Sequence, residues 1–138
     1  MIKIQKRDFN IEKEINYIKS KYSQIGAVST FIGYVRNTNN QKKVTSINLE
    51  VYDKMAFKLL EDLSINAKKK WGIIDSLIIH RYGKILVNQK IVLVATFAMH
   101  RSDSFKACNY IMDYLKKDAP FWKKEFYKNK CKWLKNSK

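Results

Sequence analysis

Four side chains that could bind anions or move protons fall within one short stretch, residues 99–125. His100 and Arg101 are adjacent at its start, and Lys116 and Lys123 lie towards its end. Arginine donates paired hydrogen bonds to phosphate or carboxylate, so His100 and Arg101 suit an anion. A lysine crowded by other cations loses its proton more readily and can act as a base or a nucleophile. Lys116 and Lys123 are therefore the candidate catalytic pair, although composition alone allows both to be solvated surface lysines.

One amphipathic helix is predicted across the middle of this stretch. Its apolar stripe, at helical spacing, comprises Phe105, Cys108, Ile111, Met112 and Leu115. Lys116 falls on the margin of the stripe, where its stem can be covered while its ammonium group points into a cleft. Pro120 cannot continue a helix, so we expect the chain to turn there and to bring Lys123 back towards Lys116.

The remaining pattern predicts elements in the order α-β-β-α-β-β-α. Helices are expected from Asn10 and from Asp53, and residues 37–43 are expected to form a polar loop. The expected strands cover residues 27–36, 44–52, 73–82 and 91–99. This order favours an α+β domain with a mixed, largely antiparallel sheet. We expect a single domain over residues 1–138, in which 118–138 is a basic C-terminal segment whose last residues fray.

Two other basic positions bear on an anion site. Arg36 ends a predicted strand, and it could join His100 if their two strands were neighbours. His80, which precedes Arg81 in the middle of another strand, is interpreted as a hydrogen-bonded structural residue. The sequence therefore predicts that Arg36 and the 99–125 stretch meet around one anion.

The composition indicates which partners and which cellular compartment to expect. A net charge of +16 over 138 residues points to anionic partners, such as phosphorylated metabolites, nucleic acid or an acidic protein. No apolar run reaches the ~18 residues of a membrane span, and the N-terminus lacks the features of a signal peptide. Cys108 and Cys131 form neither a disulfide framework nor a metal signature. We expect a cytoplasmic protein without a metal or a cofactor.

Six segments carry a resemblance to a known family. In order they are GAVSTFIGYVR (26–36), LEVYDKMA (49–56), AKKKWG (67–72), IIHRYG (78–83), MHRSDSFKACNYIMDYLK (99–116) and APFWKKE (119–125). The sequence resembles the catalytic (large) subunit of molybdopterin synthase. The most specific element is MHRSDSF followed by APFWKKE some twenty residues later.

The resemblance implies an α/β-hammerhead-like fold and a homodimer within a heterotetramer. The other two subunits are copies of a small ubiquitin-like sulfur carrier, whose C-terminal Gly-Gly tail bears a thiocarboxylate and enters a pocket. The implied reaction transfers two sulfur atoms to cyclic pyranopterin monophosphate, opens its cyclic phosphate and builds the dithiolene of molybdopterin.

The resemblance also implies roles for individual residues. The substrate-binding positions that it implies are Arg36, His100, Arg101, Lys124 and Glu125. Lys116 and Lys123 match essential lysines. We expect Lys116 to be a general acid/base or a transient nucleophile, and Lys123 to stabilise developing charge or bind the phosphate. Tyr34 departs from the family, because many relatives have a basic residue there.

Two competing hypotheses use the same features. A nucleic-acid-binding module would use the positive charge without needing particular residues, and its affinity would fall steeply with salt. A non-catalytic scaffold would keep the carrier-binding surface alone.

Overall fold

The computed structural model describes residues 1–39, 42–118, 121–127 and 130–134. The helices in these residues are α1 (Ile11–Lys19), α2 (Asp53–Trp71) and α3 (Arg101–Asp118). The strands are β1 (Ile2–Gln5), β2 (Ala27–Tyr34), β3 (Thr38–Asn39), β4 (Lys42–Val51), β5 (Asp75–Arg81), β6 (Gly83–Leu86), β7 (Lys90–Ala98), β8 (Phe121–Tyr127) and β9 (Lys130–Leu134).

The first sheet has the strand order β1-β5-β7-β2. Its one parallel pair is β1 with β5, while β7 pairs antiparallel with both β5 and β2. β5 and β7 are almost wholly buried because apolar clusters cover both faces of the sheet. One cluster includes residues of α2 and α3, and the other is completed by Ile11, Ile15 and Ile18 of α1.

The second sheet has the order β3-β4-β8-β9, and β6 also pairs with β4. The hairpin of β8 and β9 comes from the basic C-terminal segment, for which the sequence predicted no strands. Within it, lysines and aromatic residues alternate only loosely, so the period of two that marks a strand is hidden. β8 is nonetheless fixed by its antiparallel pairing with β4, from Val51 opposite Phe121 to Val44 opposite Tyr127.

Helix α3 packs against β2, β7 and α2, and it differs in one respect from the prediction. Its buried face includes Ala107, Cys108, Ile111, Met112 and Leu115, whereas Phe105 is 61% exposed. Phe105 therefore lies outside the buried stripe. The helix lasts to Asp118, and the predicted turn at Pro120 lies outside the described residues.

The predicted α+β class with mixed, largely antiparallel strands is confirmed. None of the helices in the described ranges is both long and apolar enough to cross a membrane.

Candidate active site

A cavity of about 630 Å³ opens where the two sheets and α3 meet. The first sheet contributes residues of β2, β5 and β7, and the opposite wall comes from α3, β4 and β8. Apolar side chains make up much of the lining, but Arg36, Lys116 and Lys123 also line it. Three cations in one cavity of this size predict an anionic ligand with a substantial apolar surface.

Arg36 reaches the cavity from the segment that follows β2. The register of β2 against β7 shifts between Gly33 and Tyr34, which ends regular pairing just before this segment. Two backbone hydrogen bonds then hold Val35, since its N–H donates to Gln89 O and its carbonyl accepts from Asn88 N–H. Arg36 is therefore anchored by its neighbour while its own side chain remains exposed.

Lys116 reaches the cavity from the last turn of α3. Its ammonium group lies 5.6 Å from the centre of the Phe31 ring, within the range of a cation–π contact. The side chain is exposed, whereas Met112 and Leu115 beside it are buried. The predicted position of Lys116 at the margin of the stripe is confirmed.

Lys123 reaches the cavity from β8 and is more enclosed than Lys116. Burial lowers the pKa of Lys123 because an ammonium ion loses hydration inside the protein. Glu125 opposes this shift, and the positive charge of Arg36 adds to it. A larger neutral fraction makes the Lys123 amine a better base or nucleophile than an ordinary lysine.

Glu125 lies two residues beyond Lys123 on β8 and is only 3% exposed. The Asn39 amide donates hydrogen bonds of 2.9 and 3.0 Å to its two carboxylate oxygens. The Tyr127 hydroxyl donates a further bond to one of these oxygens. Glu125 is therefore held by the protein itself, in a position to influence Lys123.

Comparison with known proteins identifies the family. The sequence model of the family described as "MoaE protein" matches residues 4–118. The chain belongs to the MoaE family. It is 44% identical over 133 residues to the molybdopterin synthase catalytic subunit of Ralstonia nicotianae, covering 96% of this chain and 76% of the relative.

Solved structures of the family share the fold. The MoaE protein of Burkholderia ambifaria superposes with a TM-score of 0.86 at 40% identity, covering 99% of this chain and 89% of that one. Molybdopterin synthase from Staphylococcus aureus superposes with a TM-score of 0.89 at 28% identity, covering 96% of each chain. The resemblance found in the sequence and the fold that it implied are both confirmed.

Three of the residues expected to bind substrate in a MoaE protein lie elsewhere in this chain. His100 and Arg101 are exposed at the start of α3, and the helix separates them from Lys116 by about 22 Å along its axis. Lys124 alternates with Lys123 on β8, so it faces the other side of the strand. Its ammonium group lies 5.2 Å from the centre of the Trp133 ring. A single chain thus joins Arg36, Lys116 and Lys123 but not His100, Arg101 or Lys124.

The sequence interpretation gave His80 no part in the site, yet it lines the cavity. The hydrogen bond expected of a structural histidine is present, between Nδ1 and the Arg81 carbonyl at 2.9 Å. A histidine inside an apolar strand, between Ile79 and Arg81, was the signal available in the sequence. Among the described residues, no group of three or more His, Cys, Asp or Glu side chains is placed to hold a metal ion.

Proposed function

We propose that this protein is the catalytic subunit of a molybdopterin synthase. It transfers sulfur from the thiocarboxylated tail of a small ubiquitin-like carrier to cyclic pyranopterin monophosphate, and so forms the dithiolene of molybdopterin. The observation that carries the proposal is the meeting of Arg36, Lys116 and Lys123 in one cavity of the family's fold.

The charge of the cavity matches both reactants. Cyclic pyranopterin monophosphate carries a phosphate, and the carrier tail ends in a thiocarboxylate, so each brings a negative charge. Arg36 offers a planar fork of donors to phosphate oxygens, and the exposed Lys116 adds a second positive charge. The apolar remainder of the lining suits the pterin ring system. Sulfur comes from the carrier, so no cysteine nucleophile is required in this chain.

The enclosed position of Lys123 supports a division of labour between the lysines. Burial is the main cause that lowers the pKa of Lys123, so Lys123 is the better group to accept a proton during sulfur transfer. Lys116, which is exposed at the end of α3, is better suited to hold the phosphate or to stabilise negative charge as it develops. This assignment reverses the roles expected from the sequence.

His100 and Arg101 join the site in our proposal from a second copy of the chain. β2 is an edge strand, and apolar side chains beside it are exposed, including Phe105 and Met99, which is 59% exposed. Two copies could pack through this face about a two-fold axis perpendicular to α3. Their α3 helices would then run in opposite directions. The Arg101 end of one helix would then approach the Lys116 end of the other.

We place the protein in the cytoplasm, within a heterotetramer of two catalytic and two carrier subunits. Cys108 and Cys131 are both free thiols, which suits a reducing compartment. The nucleic-acid-binding alternative is not favoured, because the relatives are molybdopterin synthase catalytic subunits.

Reconstitution tests the proposed function. Purified protein, thiocarboxylated carrier and cyclic pyranopterin monophosphate should together yield a dithiolene-bearing pterin. The catalytic subunit of Ralstonia nicotianae, tested with the same reagents, establishes that the carrier is competent. No product from this chain beside a productive control would contradict the proposal.

A further inference from the structure

The His80 ring forms part of the wall of the catalytic cavity. His80 is the last residue of β5 that pairs with β7, opposite Val92, and it is 7% exposed. Its ring stacks on Phe121 of β8, with 3.7 Å between ring centroids and 17° between planes. The imidazole therefore joins the first sheet to the strand that carries Lys123, and it presents a flat surface there.

The hydrogen bond of His80 fixes its tautomer. Nδ1 lies 2.9 Å from the Arg81 carbonyl oxygen, and a carbonyl oxygen can only accept a hydrogen bond. Nδ1 must therefore carry the hydrogen. Burial lowers the pKa of His80 to about 4, so the ring is neutral at pH 7. A neutral ring protonated at Nδ1 has a bare lone pair on Nε2, which acts as an acceptor.

This Nε2 acceptor opens to the cavity. Within the described ranges no protein group donates to it. Among the same residues, Ser64 Oγ is the only side-chain nitrogen or oxygen that is sealed from solvent without a partner. Nε2 is thus neither paired nor sealed, and the space available to it is the cavity that His80 lines.

The spacing along β8 sets the distance between the His80–Phe121 ring stack and the cationic side chain of Lys123. Phe121, on which His80 stacks, and Lys123 are two residues apart and face the same side of the strand, which sets them about 7 Å apart. That distance is close to the width of a fused two-ring heterocycle. A ligand with its phosphate among the cations can therefore lay a flat ring system along His80 and Phe121.

We propose that His80 is a specificity-determining residue, whose Nε2 accepts a hydrogen bond from a ring N–H of the pterin substrate. This inference rests on the proposed function and goes beyond it, because it assigns a contact to the heterocycle and not to the phosphate. An analogue without a donor at that position leaves Nε2 unpaired in a poorly hydrated wall and binds more weakly.

Substrate binding and turnover of three variants test the role of His80. His80→Phe keeps a flat ring on Phe121 and removes the acceptor. We expect it to raise the Kd and the KM for cyclic pyranopterin monophosphate about 10-fold, the effect of losing one hydrogen bond, with kcat nearly unchanged. His80→Gln restores a polar group and should recover part of the affinity. Ser76→Ala is the matched control, because Ser76 lies on the same face of β5 away from the cavity.

A measurement on the unaltered protein removes any dependence on how the variants fold. In nitrogen-15 NMR, the His80 Nε2 resonance should move upfield when cyclic pyranopterin monophosphate saturates the protein, as expected for an acceptor that gains a hydrogen bond. Saturable binding with an unmoved Nε2 resonance, or an unchanged Kd for folded His80→Phe, would overturn this inference alone. No binding by the unaltered protein would overturn both this inference and the proposed function.

Discussion

Lys123 and Leu49 are cross-strand partners in the antiparallel pair of β8 and β4. Both side chains line the cavity between the two sheets and α3, and Leu49 is buried. Because side chains alternate along a strand, a slip of one residue would replace Lys123 with Trp122 or Lys124. The register of β8 against β4 therefore determines which lysine faces the cavity.

Replacement of Lys123 should abolish turnover without unfolding the protein. We expect Lys123→Ala to lower kcat at least 100-fold, the usual contribution of a positioned base. Lys123→Arg should be nearly as inactive, since a guanidinium group does not lose its proton near neutral pH. Steady-state dithiolene formation gives the rates, and thermal melting confirms the fold. Lys69→Ala, at the exposed end of α2, is the control and should retain full activity. Wild-type turnover by Lys123→Arg would exclude a base at this position.

The charges around Lys123 should move its pKa in opposite directions. Burial lowers the pKa of Lys123 most. Glu125 raises this pKa, and Arg36 lowers it further. Removing the Glu125 charge in Glu125→Gln should therefore lower the pKa further, and Arg36→Ala should raise it. If neutral Lys123 is the active form, the rising limb of the kcat/KM profile moves to lower pH in the first variant and to higher pH in the second. Limbs that stay in place, or that move in the same direction, would contradict the assignment.

Mixed dimers should reveal whether His100 and Arg101 act across the interface. Arg101→Ala and Lys116→Ala should each be nearly inactive alone. After the two variants exchange subunits, half of the dimers are hybrids with one intact site, so about one quarter of wild-type activity should return. Mixing Arg36→Ala with Lys116→Ala is the control, because these residues share one chain's cavity and no hybrid site is intact. Hybrids that form, as judged by two affinity tags, but stay inactive would refute a shared site.

A side chain at Gly26 should destabilise the protein, because the Gly26 backbone packs directly on the chain that leads to His100. Its N–H donates to the Ala98 carbonyl, and a Cβ at this position would overlap the Met99 carbonyl oxygen. We expect Gly26→Ala to lower the free energy of unfolding by about 2 kcal/mol, as overpacking typically does. Denaturant titration measures the change. Gly72→Asn is the comparison, since nothing lies within 4 Å of a Cβ there and asparagine tolerates the left-handed conformation. Equal stabilities of these two variants would contradict this prediction, because the Met99 carbonyl would then move aside at little cost in free energy.

Local patterns were enough to predict part of the site. Helical spacing put Lys116 at the margin of a buried face, and the end of a strand marked Arg36. Phe105 was misassigned because helical spacing alone does not distinguish an apolar residue that faces the core from one on an exposed surface. The α+β class followed from the order of elements, which the later pairing of strands did not alter.

Long-range pairing accounts for most of what the sequence could not predict. The β8–β9 hairpin depends on β4, which lies far earlier in the chain, and no local feature of FWKKEFY specifies that partner. The same pairing stacks Phe121 on His80, so the place of His80 in the cavity was equally hidden. His100, Arg101 and Lys116 were expected around one anion, but the length of α3 separates the first two from Lys116.

The reaction proposed for this cavity is the transfer of sulfur from the carrier to a phosphorylated pterin. The most direct measurement follows isotopically labelled sulfur from the carrier thiocarboxylate into the pterin product by mass spectrometry, with the unaltered protein as catalyst. We predict that both dithiolene sulfur atoms carry the label and that Lys123→Ala forms labelled product at least 100-fold more slowly. Unlabelled pterin after incubation with a carrier that the Ralstonia nicotianae subunit uses would contradict the account.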